Sequence, residues 1–194
     1  MNGEERNMKR QTARTDGFTL IEILVVIAIL GILMGMMIPA AGTIMKKAKI
    51  STARGDAAVV QSGLMKYRLE YNCWPDFAKG KSKKHFTDHE FLETMMPSGN
   101  GAPPAENLKR VRFIEGGKDV VAPGNAGGKN QYIDPWGNPF QYLVNETPKD
   151  TMGLGSFGSG YKGPDEIRTK ALVWSAGPDG DYGTWDDNVC SWDD

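Results

Sequence analysis

Apolar and polar positions divide the chain into two helical patterns followed by short strand patterns. Residues Phe18 to Ile38 form a predominantly apolar run of about 21 residues, near the roughly 20 that a helix needs to cross a hydrocarbon core. Within it Gly31 and Gly35 form a G-x-x-x-G pair, which lets helix backbones approach closely. Beyond Pro39 the pattern becomes amphipathic. Ala53, Ala57, Val60, Leu64, Tyr67 and Tyr71 recur at spacings of three and four, with Lys46, Lys47, Lys49, Arg54, Asp56, Lys66, Arg68 and Glu70 between them. Such a stripe faces a small domain. The spacing predicts one helix from Thr19 to about Tyr71. Pro39 lacks an amide hydrogen, so a kink or local unwinding is expected there without a stop. Trp74-Pro75 is expected to end the helix, because the residue before a proline is driven out of helical backbone.

Downstream the segments are shorter. Thr87 to Glu90 has the form of a capping box opening a helix with Phe91, Leu92, Met95 and Met96 on its apolar side. Lys79 to Lys84 reads as a basic, exposed loop, and Gly99 to Pro104 and Pro123 to Gly128 read as turn-rich loops. Val111 to Ile114, Phe140 to Val144 and Ala171 to Trp174 read as strands. In the turn from Asp134 to Pro139, DPWGNP, the side chains of Asp134 and Asn138 suit bonds to nearby backbone, and Trp136 suits packing on the helix. The predicted fold is α+β: a long N-terminal helix, transmembrane and then amphipathic, packed on a small antiparallel sheet.

A chain of 194 residues holds one domain, or one domain with a long appended element. Its net charge of -1 gives no general attraction to nucleic acid. The ends differ, however: the segment before Gly17 is slightly basic, whereas Ala171 to Asp194 holds six aspartates and no Lys or Arg. By the positive-inside rule the leader stays cytoplasmic and the rest of the chain lies across the membrane. Cys73 and Cys190 leave two readings open, a disulfide or two half-buried thiols. His85 and His89 stand at i and i+4 beside Asp88 and Glu90, but no HExxH pattern or cysteine ligand accompanies them, and a surface location is expected. No set of nucleophile, base and orienting residue and no phosphate loop is present, so no enzymatic activity is expected.

Glu22 needs an explanation, because an ionised carboxylate within a membrane costs roughly 2.5 to 3.5 kcal/mol at mid-depth and less near a helix end. A secretory signal peptide has a shorter apolar core, and a simple anchor leaves the carboxylate without a partner. Gly17-Phe18-Thr19-Leu20-Ile21-Glu22 resembles the processing site of type IV pilins and of the pseudopilins of type II secretion. That resemblance implies cleavage after Gly17 by a membrane-embedded prepilin peptidase and methylation of the new amino group on Phe18. Glu22 then pairs with that ammonium, favouring the one on a neighbouring subunit, which fixes the axial register of a helical filament. Pro39 falls where the family has a proline, and local melting there accompanies assembly.

In SAGPDGDYGTWDDN, Asp179, Asp181, Asp186 and Asp187 lie close to Gly177, Gly180 and Gly183, with no Lys or Arg nearby in the chain. Clustered carboxylates repel unless something positive joins them. Calcium takes six to eight oxygens in flexible geometry, and glycines let carbonyls turn inward. An Asp-Gly turn followed by a solvated acidic tail is the other reading. DPWGNPFQY, followed by a strand and this loop, is similar to the major pseudopilins of type II secretion. The resemblance implies a calcium site with Asp179, Asp186 and Asp187 as side-chain ligands and carbonyls of Trp174 and Ser175 as additions. Asn188, Pro178 and the long segment from Asp76 to Asn130 depart from that family.

The expected organisation is a leader over 1–17, a transmembrane and assembly helix over 18–40 and its amphipathic continuation over 41–72. A variable loop region with a short helix follows over 73–130, and the sheet and acidic calcium loop over 131–194. The resemblance implies a bacterial inner-membrane protein with its C-terminal domain in the periplasm, polymerising into a pseudopilus that drives export of folded proteins. Its partners are then copies of itself, the prepilin peptidase, minor pseudopilins, an inner-membrane platform and a secretion ATPase. A type IV or minor pilin for adhesion, motility or DNA uptake is a second expectation. A membrane-anchored exported enzyme or binding module is a third.

Overall fold

The amphipathic stripe read from the sequence organises the fold. The computed structural model describes residues 17–80, 83–116, 121–123, 129–153, 157 and 160–192, without the side chains of 36–41 and 122. The leader residues before Gly17 and the loop residues 124–128 lie outside the described residues. Helix α1 (Leu20–Tyr71) is continuous across Pro39. It ends earlier than Trp74-Pro75, at Asn72, whose φ of 54° is left-handed, a backbone state that asparagine adopts readily and that stops a helix.

Two units divide the chain at Ile44. In the first, the apolar side chains from Leu20 to Met34 are exposed. Among the described residues no helix carries a stretch long and apolar enough to cross a membrane. The side chains of Met36, Met37 and Ile38, which complete the apolar run of the sequence, lie outside that description.

In the second unit α1 buries Ala53, Ala57, Val60, Leu64 and Tyr67, as the spacing predicts. Burying Val60 or Leu64 stabilises the fold by about 1.5–3 kcal/mol each. The surface they meet is a four-stranded antiparallel sheet of β1 (His85–Phe86), β4 (Gln141–Val144), β7 (Ala171–Ser175) and β8 (Val189–Cys190), in the order β1-β4-β7-β8. Tyr142 pairs with Val173 and Val144 with Ala171, and these four join the α1 stripe in one core. Leu143 pairs with Leu172 and Gln141 with Trp174. Because side chains alternate across a strand, Leu143, Leu172 and Trp174 emerge on the opposite face, where Cys190, Met152 and Phe157 form a second core. Two hairpins, β2 (Val121–Pro123) with β3 (Asn130–Tyr132) and β5 (Met152–Gly153) with β6 (Glu166–Ile167), complete the strands.

The middle of the chain departs from its sequence reading in two places. Helix α2 (His89–Met95) is capped by Asp88, whose side chain accepts from the Phe91 amide. Thr87 is not the cap: it is buried, donating its hydroxyl to the Tyr132 carbonyl at 2.6 Å and accepting from the Phe140 amide at 2.9 Å. Val111 to Ile114 does not pair as a strand. The Phe113 and Ile114 amides instead donate to the Met95 carbonyl at the end of α2, at 2.9 and 3.2 Å. Buried Asn107 braces this segment, donating to the Thr94 and Val111 carbonyls and accepting from the Val111 amide and the Tyr71 hydroxyl. Cys73 is exposed and Cys190 buried, and no disulfide joins them.

The segment packs so closely on α1 that a Cβ added at Gly63 would lie 2.2 Å from Ile114 Cγ1, while the Phe113 carbonyl oxygen sits 3.4 Å away. Ile114 is itself fully buried and has little room to yield. Gly63→Ala is expected to destabilise the full chain in detergent micelles by about 1–3 kcal/mol, with a smaller effect in an Ile114→Ala background, where Cγ1 and Cδ1 are absent. Denaturant titration checks this, and an unchanged midpoint would remove the close approach as a constraint.

Candidate functional site

Two places gather the residues singled out in the sequence. At the start of α1 the Thr19 amide and hydroxyl both donate to Glu22 Oε2 at 2.8 Å, and the Glu22 amide donates to Thr19 Oγ1 at 3.3 Å. This is a reciprocal capping box, satisfying amides that the first turn leaves without helical partners. Gly17 and Phe18 precede the helix and are exposed. Reading Glu22 only as a carboxylate awaiting an ammonium missed Thr19, although the T-x-x-E spacing was visible. Pro39 lies inside α1, with its side chain outside the described residues.

The second place is the loop joining β7 to β8. Trp174 and Ser175 end β7, and Ser175 pairs with Val189 of β8, so both ends of the loop meet at one neck. Gly177 and Gly180 have φ of 70° and 74°, in the left-handed region that favours glycine. Asp179 accepts from the Thr184 hydroxyl at 2.5 Å and the Asp181 amide at 2.8 Å, which hold its carboxyl below the usual range. Asp186 pairs with Lys162 at 2.8 Å, both side chains largely exposed, and this contact lowers its pKa. The short-range sequence reading missed that cation, because Lys162 lies 24 residues away in the chain.

Among the described residues no three carboxylate, imidazole or thiol groups converge on one point. The donors present are nevertheless all oxygens. Asn188 Oδ1 is buried without a hydrogen-bond partner, an acceptor that a hard cation would satisfy. The chemistry of the loop therefore fits calcium, provided Asp186 exchanges its exposed lysine for the ion.

The DPWGNP turn stands directly against this loop. Asp134 is buried, and its Oδ1 accepts from the Trp136 and Asn138 amides, both at 2.9 Å. Its Oδ2 accepts from the Ser175 hydroxyl at 2.5 Å. The Tyr182 hydroxyl donates to the Pro139 carbonyl. Bonds from Asp134 to nearby backbone were legible in the sequence; the bond to Ser175 was not, because 41 residues separate the two. Asp56 of α1 has a buried Oδ2 without a hydrogen bond, and burial, followed by the charge of Asp134, pushes its pKa up.

On the other side of Trp174, Phe157, Trp185 and Trp192 pack with ring centroids 5.0 to 6.2 Å from its indole. Lys84 is not an exposed loop residue. Its ammonium lies 5.0 Å from the Phe157 ring centroid and 5.7 Å from that of Trp174, an arrangement favoured by the ring quadrupoles. His89 pairs with Glu93 at 3.1 Å and His85 stacks on Tyr142, so the two histidines do not form a site together.

The capped, apolar helix start places the chain in a class defined by its N-terminus: residues 13–38 match the family described as the prokaryotic N-terminal methylation motif. The chain is 30% identical to the type II secretion system core protein G of Pseudomonas aeruginosa over 178 residues, covering 91% of this chain and 99% of that one. It is also 30% identical to the protein of that name from Aeromonas hydrophila, over 94% of this chain and 95% of that one. With the Escherichia coli protein of that name it shares 29% identity over 94% of each chain. No solved structure gives a significant match. The chain belongs to the type II secretion system core protein G family, the major pseudopilins.

The raised pKa of Asp56 has a direct consequence. A carboxyl raised on folding contributes stability that is complete below its unfolded value, about 3.9, and is lost as pH rises through the folded one. Asp56→Asn is therefore expected to raise the melting temperature at pH 7, with the gain shrinking as pH falls toward 4. Thermal melts of both proteins across that range check it; a gain independent of pH would contradict it.

Proposed function

We propose that the chain is made as a prepilin, cut after Gly17 by the prepilin peptidase and methylated on the new amino group of Phe18. The observation that carries this reading is the methylation motif over residues 13–38, in a chain that aligns with core protein G along 99% of the relative's length. Before assembly the apolar segment from Phe18 to Ile38 holds the chain in the bacterial inner membrane, with the rest in the periplasm. Cleavage creates an ammonium on Phe18, and Glu22 exchanges its contacts with Thr19 for that charge on a neighbouring copy. Pairing offsets much of the cost of burying the carboxylate. Gly31 and Gly35 favour close helix approach in the polymer.

The work of the chain is polymerisation into a pseudopilus, extended by an ATPase-driven inner-membrane platform together with minor pseudopilins, to push folded proteins outward. It performs no chemistry of its own. Asp179, Asp186, Asp187 and the carbonyls of Trp174 and Ser175 hold calcium, the side chain of Asn188 standing ready as a further oxygen. Bound calcium supplies the positive charge that the clustered carboxylates need.

Glu22→Ala is expected to leave cleavage after Gly17 intact while reducing filaments sheared from cells overproducing the chain by about tenfold or more, the effect of losing a buried charge pair of a few kcal/mol. Immunoblots of cleaved chain and sheared fraction check it. Normal filaments from the variant would contradict the pairing role.

A further inference from the structure

We infer that the buried Asp134 carboxylate and the Ser175 hydroxyl form a relay that positions the calcium-binding loop, an inference that rests on the calcium reading above. Asp134 Oδ2 accepts from Ser175 Oγ at 2.5 Å, and Ser175 Oγ in turn accepts from the Gly177 amide at 2.9 Å. Asp134, Ser175 and Gly177 are all buried. The hydroxyl has a single hydrogen, so donating it to the carboxylate leaves its oxygen free to accept, and the relay has one direction.

The relay acts on the groups assigned to the ion. Ser175 contributes its carbonyl to the proposed set, and its side chain is held by Asp134. Gly177 packs so tightly on the far end of the loop that a Cβ there would meet the Asp187 carbonyl oxygen at 2.2 Å and Asp187 Cγ at 3.3 Å. Fixing the Gly177 amide therefore fixes the position at which Asp187 packs on Gly177. The same turn supports the middle of the loop: the Asn138 side chain lies 3.5 Å from the Cβ position of Gly180, and Asn138 is itself held by Asp134 Oδ1. One buried carboxylate thus braces the neck of the loop through Ser175 and its middle through Asn138. Groups that orient ligands from outside commonly change metal affinity by about 10–100-fold when lost.

Calcium titration calorimetry on the full chain in detergent micelles, paired with melting temperatures in excess chelator, tests the relay. Ser175→Ala leaves the carbonyl in place and removes only the hydroxyl. It is expected to weaken calcium binding about tenfold or more and, because Asp134 Oδ2 and the Gly177 amide lose their partner, to lower the melting temperature in chelator, with a larger fall when calcium is present. Equal affinity in the two proteins overturns the inference. So does an equal fall in melting temperature with and without calcium, which marks the hydroxyl as a fold determinant alone. If Ser175→Ala yields no folded protein, Asp134→Asn, which keeps shape and removes the acceptor facing Ser175, is held to the same criteria. An unsubstituted chain that binds no calcium removes the calcium reading and this inference with it; calcium binding that both variants retain removes the inference alone.

Discussion

The packing of one stripe of α1 against one face of the sheet is the constraint on which the rest of the second unit depends. Ala53, Ala57, Val60 and Leu64 are all inaccessible to solvent, and small residues at two of these positions allow the helix to lie close to its neighbours. The stripe covers Tyr142, Val144, Ala171 and Val173, which leaves the alternate residues of the same strands facing away. A sheet with both faces apolar needs a second cover. That cover is the aromatic cluster of Phe157, Trp174, Trp185 and Trp192, into which Lys84 inserts its ammonium.

The two covers meet at the end of β7. Trp174 points into the aromatic cluster, and the next residue, Ser175, faces Asp134. A buried carboxylate is costly unless hydrogen-bonded, and the three donors around Asp134 meet that requirement from within the DPWGNP turn and from β7. The turn is therefore a fold determinant, as its prolines and Asx residues suggest, and it is also the wall against which the acidic loop is built.

What was legible in the sequence follows from how local each signal is. The α1 stripe, the strands Gln141–Val144 and Ala171–Ser175 and the DPWGNP turn before the first of them rest on periodicities and dipeptides a few residues long, and the structure repeats them within a residue or two. Thr87 was misread because its spacing to Glu90 suits a cap, while the tertiary demand of the Tyr132 and Phe140 backbone took the hydroxyl instead. Val111 to Ile114 has a strand-like composition, but its amides close the end of α2. The partners of Asp186 and Asp134 at the acidic loop, Lys162 and Ser175, come from distant parts of the chain, and no local pattern announces them. The T-x-x-E cap at Thr19 and Glu22 was available and was overlooked in favour of a longer-range role.

In the structure the Glu22 carboxylate caps its own helix through Thr19. Its proposed second role follows cleavage, when a new ammonium on Phe18 would compete for it with a full charge and draw it toward a second copy. The account turns on that ammonium. Intact mass and N-terminal sequence of the chain recovered from its native membranes test it most directly. The account predicts a chain that begins with N-methylated Phe18. A chain that begins at Met1, or one cut near Ala41, would contradict it.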